Sequence, residues 1–206
     1  MSDKSPLLNE FFVDAVAEVL NVGMGSAAAS LSEMINEEVR LSVPSVEFVS
    51  RLEATQIIGK KTKTDVSGVH QAFSGAFSGD ALLLFPEEQS LELVRAVLQE
   101  DLALDELSEM EQEAMTEIGN VILNACLCSM ADMFNKEMQG EIPEFVQGTL
   151  HQVFSCDKLE HTEAIVLLLN MEFAVDKKNI QGYVTFLMDV NSVMDFKNLI
   201  ESYLDQ

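Results

Sequence analysis

Residues 18–44 read EVLNVGMGSAAASLSEMINEEVRLSVP, and residues 117–143 read EIGNVILNACLCSMADMFNKEMQGEIP. Each begins with Glu-x-x-Asn, continues through small and apolar residues and closes on a proline. Extended to residues 10–44 and 109–143, the stretches align without a gap at a constant offset of 99. Ten positions are then identical: Glu10/Glu109, Ala15/Ala114, Glu18/Glu117, Asn21/Asn120, Val22/Val121, Ser30/Ser129, Met34/Met133, Asn36/Asn135, Glu38/Glu137 and Pro44/Pro143. The far ends of the two halves agree as well. GDALLLFPEEQSLELVRAVL (79–98) lies over GYVTFLMDVNSVMDFKNLI from Gly182, each a Gly-led strand, a turn and a helix. Self-similarity of this kind predicts one domain over 1–206 made of two repeats, about 8–100 and 106–204.

Each repeat is expected to open with a long helix, Phe11–Met34 and Ser108–Phe134, because Ala, Leu, Met and Glu dominate both stretches. Ser108 with Glu111 three residues on predicts a capping box at the second helix. A short segment then runs to Pro44 or Pro143, neither of which can continue a helix. Strand-rich stretches follow: VEFVS and VHQAFSGAFSGDALLLF in the first half, and VQGTLHQVFS, EAIVLLLNMEF and IQGYVTFLMDV in the second. GAFSGD reads as a hairpin turn between apolar runs. A short amphipathic helix closes each half. The fold class predicted is α/β of the α+β type, with antiparallel strand pairs instead of a wound βαβ sheet.

Composition narrows the partners. Of 206 residues, 48% are hydrophobic and 23% charged, as in folded globular proteins. Thirty-five acids against twelve bases give a formal net charge of -23. Such a chain repels phosphate backbones and anionic lipid, so neither nucleic acid nor a membrane is expected as partner. Arg51, Lys60, Lys61 and Lys63 form the densest basic run and read as a solvated loop. The segment Gln99–Glu117, with eight acids and no base, reads as a solvated linker leading into a helix N-terminus. Cys126, Cys128 and Cys156 are odd in number and lack CxxC spacing, which argues against a disulfide framework and a zinc site. His70, His151 and His161 show no HExxH pattern, so no metal ligand set is expected. MSDKSPLLNEFF lacks a signal-peptide pattern, and no run of about 18 uninterrupted apolar residues suggests a membrane span. A reduced, cytoplasmic protein is the simplest expectation.

The first long helix is apolar on most sides, but Glu10, Asp14, Glu18 and Asn21 fall on one line along it. Glu109, Glu113, Glu117 and Asn120 do the same in the second. A wet edge on a buried helix accounts for a polar stripe by itself. It does not account for Asn at the same point twice, since Asn in mid-helix costs roughly half a kcal/mol against better formers.

These residues resemble the two signature helices of the CheC family of chemotaxis phosphatases. The family pattern is Asp or Ser, three residues, Glu, two residues, Asn, about twenty-two residues, then Pro. Asp14, Glu18, Asn21 and Pro44 match it; Glu117, Asn120 and Pro143 match in the second copy, with Glu113 in place of Asp or Ser. Leu20 stands where the family often has Gly, as Gly119 does in the second copy. The resemblance covers nearly the whole chain and is strongest to stand-alone members with two motifs, without the added flagellar switch module of FliY-type relatives. It implies a pseudo-two-fold domain, two long helices lying side by side on a largely antiparallel sheet. It also implies hydrolysis of the phospho-aspartate of a CheY-type response-regulator receiver domain.

Hydrolysis of an acyl phosphate by a helper protein is mostly positioning and charge stabilisation. A carboxamide can hold water while staying uncharged, so Asn21 and Asn120 are expected to orient the attacking water. Glu18 and Glu117 are expected to dock a cationic group of the partner. Pro44 and Pro143 are expected to shape backbone behind each helix. No cofactor is expected on this chain; Mg²⁺ would come with the receiver. Ser26, Ser30, Cys126 and Cys128 read as small residues for close helix packing, not nucleophiles, and SAAAS (26–30) as a close helix crossing. The alternative is a non-catalytic adaptor that binds a receiver domain or a CheD-like deamidase.

Overall fold

Strong helix formers carry the two signature stretches into α1 (Glu10–Ile35) and α4 (Glu109–Phe134). They do so in a computed structural model that describes residues 10–62, 65–98, 109–155, 165–175 and 178–204. Ser108 and its capping box, residues 99–108 of the acidic linker, Lys63, Cys156 and His161 lie outside the described residues, as do the side chains of Glu10 and Lys61. Both helices end on an asparagine with positive φ, Asn36 at 54° and Asn135 at 48°. Asn tolerates this left-handed conformation better than most residues. After α4 the Asn135 N–H donates to the Asp132 carbonyl and the Lys136 N–H to that of Ala131, the paired bonds of a Schellman stop. The identity of positions 36 and 135 is thus a shared helix ending.

Strands β1 (Val39–Ser50), β2 (Val66–Gly75) and β3 (Gly79–Pro86) follow α1, with α2 (Arg51–Lys61) after β1 and α3 (Glu87–Leu98) after β3. After α4 come β4 (Met138–Gly140), β5 (Glu144–Gly148), α5 (Leu150–Ser155), β6 (Ile165–Val175), β7 (Lys178–Met188) and α6 (Val190–Leu204). All seven strands form one sheet in the order β1-β6-β7-β3-β2-β4, with β5 also on β2, and every pairing is antiparallel. The first strand of each half therefore pairs with the middle strand of the other half, and β3 meets β7 at the centre. The predicted hairpin at GAFSGD forms, with Val66 opposite Pro86 and Phe73 opposite Gly79.

Three local expectations are corrected. The segment before Pro44 is not a mere connector: β1 starts at Val39 and runs through the proline. Ser42 pairs with Glu172 and Ser45 with Asn170, so β1 carries one extra residue there. Such a bulge tolerates a residue without an N–H. Gly140 pairs with Phe73 and Glu144 with His70, which leaves one extra residue beside Pro143 too. The basic run is helical through Lys61 instead of a loop. Ser50 accepts from the Glu53 N–H at 3.2 Å while the Glu53 carboxylate takes the Ser50 N–H at 3.0 Å, a capping box that starts α2. VQGTLHQVFS is only half strand, because Thr149 and Gln152 form the same reciprocal pair and start α5.

The sheet separates two apolar layers. On one face α1, α3, α4 and α6 cover Val69, Phe73, Leu83, Phe85, Leu167, Leu169, Val184 and Phe186. On the other, α2 and α5 bring Ala54, Ile58, Val153 and Phe154 against Leu82, Leu84, Val166 and Leu168. The bulge at Pro44 shifts strand parity, so Val39 and Val43 before it and Val46 after it all face α1. Phe77, in the hairpin turn, is buried against Phe73, Phe134 and Phe196. Both long helices match a membrane span in length and overall apolarity. Their apolar stripes, Val16, Leu20, Met24 and Leu31 on α1 and Met115, Ile118, Ile122 and Cys126 on α4, are spent in this core.

Candidate functional site

Asp14, Glu18 and Asn21 on α1, and Glu109, Glu113 and Glu117 on α4, are exposed; Asn120 is half-buried. Because α1 and α4 pack on the same face of the sheet and against each other, both stripes belong to one helix layer. A Cβ on Gly23 would lie 2.7 Å from the Ser129 hydroxyl and 2.8 Å from the Ala125 carbonyl, so the helices approach closely there. Of the stretch SAAAS, Ala27 and Ala28 are buried, whereas Ser26, Ala29 and Ser30 face solvent. Cys126 is buried, and burial pushes its thiol up to about 12. Cys128 departs from the expectation of close packing and is exposed.

Glu18 and Glu117 make no hydrogen bond or ion pair among the described residues, so both carboxylates are left to solvent or a partner. Glu109, Glu113 and Glu117 line an open groove of about 510 Å³ along α4, together with Gln112, Thr116 and Phe145. The acids along it make that groove attractive to cations.

The two carboxamides have different surroundings. Asn21 is bound to backbone: its Oδ1 accepts from the Val43 N–H at 3.0 Å, and its Nδ2 donates to the Ala17 carbonyl at 2.9 Å. Nδ2 also reaches the Val43 carbonyl at 3.5 Å. This grip on the residue before Pro44 holds the bulge of β1 against α1. Asn120 touches no such strand backbone. Its Oδ1 accepts from Asn124 Nδ2 at 2.5 Å; Asn124 Oδ1 accepts from Gln71 Nε2 at 3.2 Å; Gln71 Nε2 donates to the Glu141 carbonyl at 2.9 Å. Among the described residues, Asn120 Nδ2 has no partner. Ile142, the residue before Pro143, is 86% exposed, whereas Val43 is 5% exposed.

Gly119 explains part of this difference. A Cβ there would sit 2.5 Å from Val69 carbon atoms, so only glycine lets α4 settle this close to β2. Leu20, at the same place on α1, is fully buried in the core. Sequence reasoning missed Asn124 and Gln71. The available signal was a second Asn one helical turn after Asn120 and a lone Gln among apolar strand residues. It also missed the pair His70 Nε2 and Asp80 Oδ1, 2.8 Å apart across the hairpin. Strand alternation with Val69 and Ala81 puts that pair on the face away from α1 and α4. Among the described residues, no group of three or more His, Cys, Asp and Glu side chains is placed to hold a metal ion.

Comparison with known proteins agrees with this architecture. The CheC-like family model matches residues 13–47, and the model of the chemotaxis phosphatase CheX matches residues 67–167. The CheY-P phosphatase CheC of Bacillus subtilis (strain 168) is 22% identical over 192 residues, 90% of this chain and 91% of that protein. The flagellar motor switch phosphatase FliY of the same organism is 23% identical over 201 residues; the alignment covers 94% of this chain and 52% of that longer protein. Of solved structures, Thermotoga maritima FliY matches with a TM-score of 0.75 at 16% identity, over 95% of this chain and 98% of that one. A CheX protein from Desulfovibrio desulfuricans matches with a TM-score of 0.53 at 18% identity, over 82% and 99%. At such identities the structural likeness shows the fold: mixed helix and antiparallel sheet of the CheC-like and FliY kind.

Proposed function

We propose that this chain, a member of the CheC-like family, is a phosphatase acting on the phospho-aspartate of a CheY-type receiver domain. The observation that carries the reading is the doubled Glu-x-x-Asn pair on one helix layer, with Glu18 and Glu117 unengaged among the described residues. Water attacks phosphorus in line with the departing carboxylate oxygen. The P–O bond to the aspartyl carboxylate breaks, leaving inorganic phosphate and a free carboxylate. Asn120, and Asn21 when released from Val43, orient that water: an amide oxygen accepts a hydrogen bond from it while the amide N–H donates to water or to a phosphoryl oxygen, and the water's proton stays with the inorganic phosphate. Glu18 and Glu117 meet a cationic side chain of the receiver and fix the approach. In this reading the receiver supplies Mg²⁺ and the protein acts in the cytoplasm.

We likewise read the chain as a single domain of two repeats, about 8–100 and 106–204. Support comes from the matching element order of the two halves, the sheet order that reads alike from either edge, and the shared helix endings at Asn36 and Asn135.

Phosphate release from a phosphorylated receiver, measured with and without the protein, tests the function. Acceleration that disappears in Asn21→Ala/Asn120→Ala supports it. Receiver binding with an unchanged dephosphorylation rate would replace it with the adaptor reading.

A further inference from the structure

Asn120 is the only one of the two motif asparagines with a second carboxamide behind it. Gln71 is 2% exposed on β2, and its Nε2 faces two acceptors, the Glu141 carbonyl at 2.9 Å and Asn124 Oδ1 at 3.2 Å. A backbone carbonyl can only accept, so the nitrogen of Gln71 must point that way. Asn124 must then turn its oxygen to Gln71 and its nitrogen to Asn120. Asn120, in turn, must turn its oxygen inward and leave its N–H groups outward. One backbone carbonyl, acting on buried Gln71, thereby sets the orientation of three amides, an assignment that distances alone would leave open to flips. The chain of donors runs from the interior outward, and each bond polarises the next, so the exposed N–H of Asn120 carries the positive end. The second lone pair of its oxygen stays free to accept from water.

We propose that Asn124 and Gln71 are positioning residues that hold Asn120 with its amide N–H toward the phosphoryl group, making the α4 half-site the working one. This rests on the phosphatase reading above. The first half has no such device. At the offset of 99, Gly25 stands where α4 has Asn124, and a Cβ there would meet nothing within 4 Å. The ladders place Val46 opposite Leu169 and Phe145 opposite Val69, which puts apolar Met171 in the place of Gln71. Space for the relay is also reserved in the second half. A Cβ on Gly140 would lie 2.5 Å from Gln71 Nε2 and 3.1 Å from Asn124 Oδ1.

Asn124→Asp is the sharpest test, because it keeps the shape and the acceptor for Gln71 while removing the donor to Asn120. The amide of Asn120 must then turn its nitrogen inward. Measured on a phosphorylated receiver, kcat should fall about tenfold or more with KM nearly unchanged, as expected when a group acting in the transition state is turned away. In NMR hydrogen exchange, the Asn120 side-chain N–H protons should exchange quickly in the wild-type chain and slow in the variant. Gln71→Met, which copies the first half and keeps the site apolar and filled, should lower kcat in the same direction. Wild-type kcat in both variants beside an impaired Asn120→Ala would overturn the positioning role and leave the phosphatase reading intact. Equal amide exchange in wild type and Asn124→Asp would overturn it regardless of activity. A wild-type chain that does not accelerate phosphate release overturns the phosphatase reading instead, and with it this inference.

Discussion

The two Glu-x-x-Asn pairs share a sequence but not a setting. On α1, Leu20 is buried in the core, and Asn21 spends its amide on the backbone of Val43 at the β1 bulge. On α4, Gly119 lets the helix touch Val69, and Asn120 is held by a side-chain relay that leaves its N–H groups outward. One asparagine braces a strand while the other faces solvent with oriented polarity. The difference teaches that a doubled motif does not imply a doubled environment. The residue before each asparagine differs, Leu20 on α1 and Gly119 against Val69 on α4, and the two amides meet different neighbours.

This contrast can be broken most directly by single substitutions in the activity assay. Asn120→Ala should lower kcat on the order of 100-fold, the size seen when one preorganised polar group is removed from a developing charge. Asn21→Ala should cost no more than about threefold in rate, less than half a decade. Equal losses in the two variants would erase the asymmetry. Next in size, Gly119→Leu, which gives α4 the residue of α1, should destabilise the fold by about 1–3 kcal/mol through the clash with Val69. Urea unfolding checks this, and a partial recovery in Gly119→Leu/Val69→Ala would locate the strain. Asn21→Ala should itself cost about 1 kcal/mol of stability by leaving the Val43 N–H unpaired, with Asn120→Ala costing less. A stability loss as large for Asn120→Ala would mean that both amides are structural braces.

The smallest expected effect concerns the two cysteines of α4, which stand where α1 has Ala27 and Ala29. Exposed Cys128 should react with a thiol reagent under native conditions while buried Cys126 does not, as read by peptide mapping. Burial raises the Cys126 thiol from its ordinary value of 9.0 to about 12. The unfolded chain therefore loses that proton first, and the contribution to stability falls as pH rises from 9 towards 12. A Cys126→Ala variant, measured alongside wild type, should show a shallower alkaline decline. Identical slopes would contradict the burial.

Much of the fold was legible because local chemistry and global fold agree. The long helices follow from composition, the hairpin from GAFSGD, and the paired halves from ten identities at one offset. Two short helices were missed, α2 and α5, although Ser50-x-x-Glu53 and Thr149-x-x-Gln152 carry capping boxes in the sequence itself. The basic run of α2 reads as loop, and the apolar residues of α5 read as strand. Pro44 was read as a terminator because a proline in a sheet is allowed only where the ladder is interrupted, and a bulge depends on a partner strand more than a hundred residues away.

By itself the sequence determined what is periodic or local: the two apolar helices, the antiparallel strand pairs, and the acid-and-amide stripe that survives at the same place in both halves. Only the tertiary structure decided what each asparagine does with its amide. Hydrogen-bond direction depends on which groups come within about 3 Å, and those groups arrive from elsewhere in the chain. Val43 reaches Asn21 across a bulge, and Glu141 reaches Asn120 through Gln71 and Asn124. The two Glu-x-x-Asn signatures therefore end in opposite arrangements, since partners from distant parts of the chain, not the shared Glu and Asn, fix the orientation of the amide.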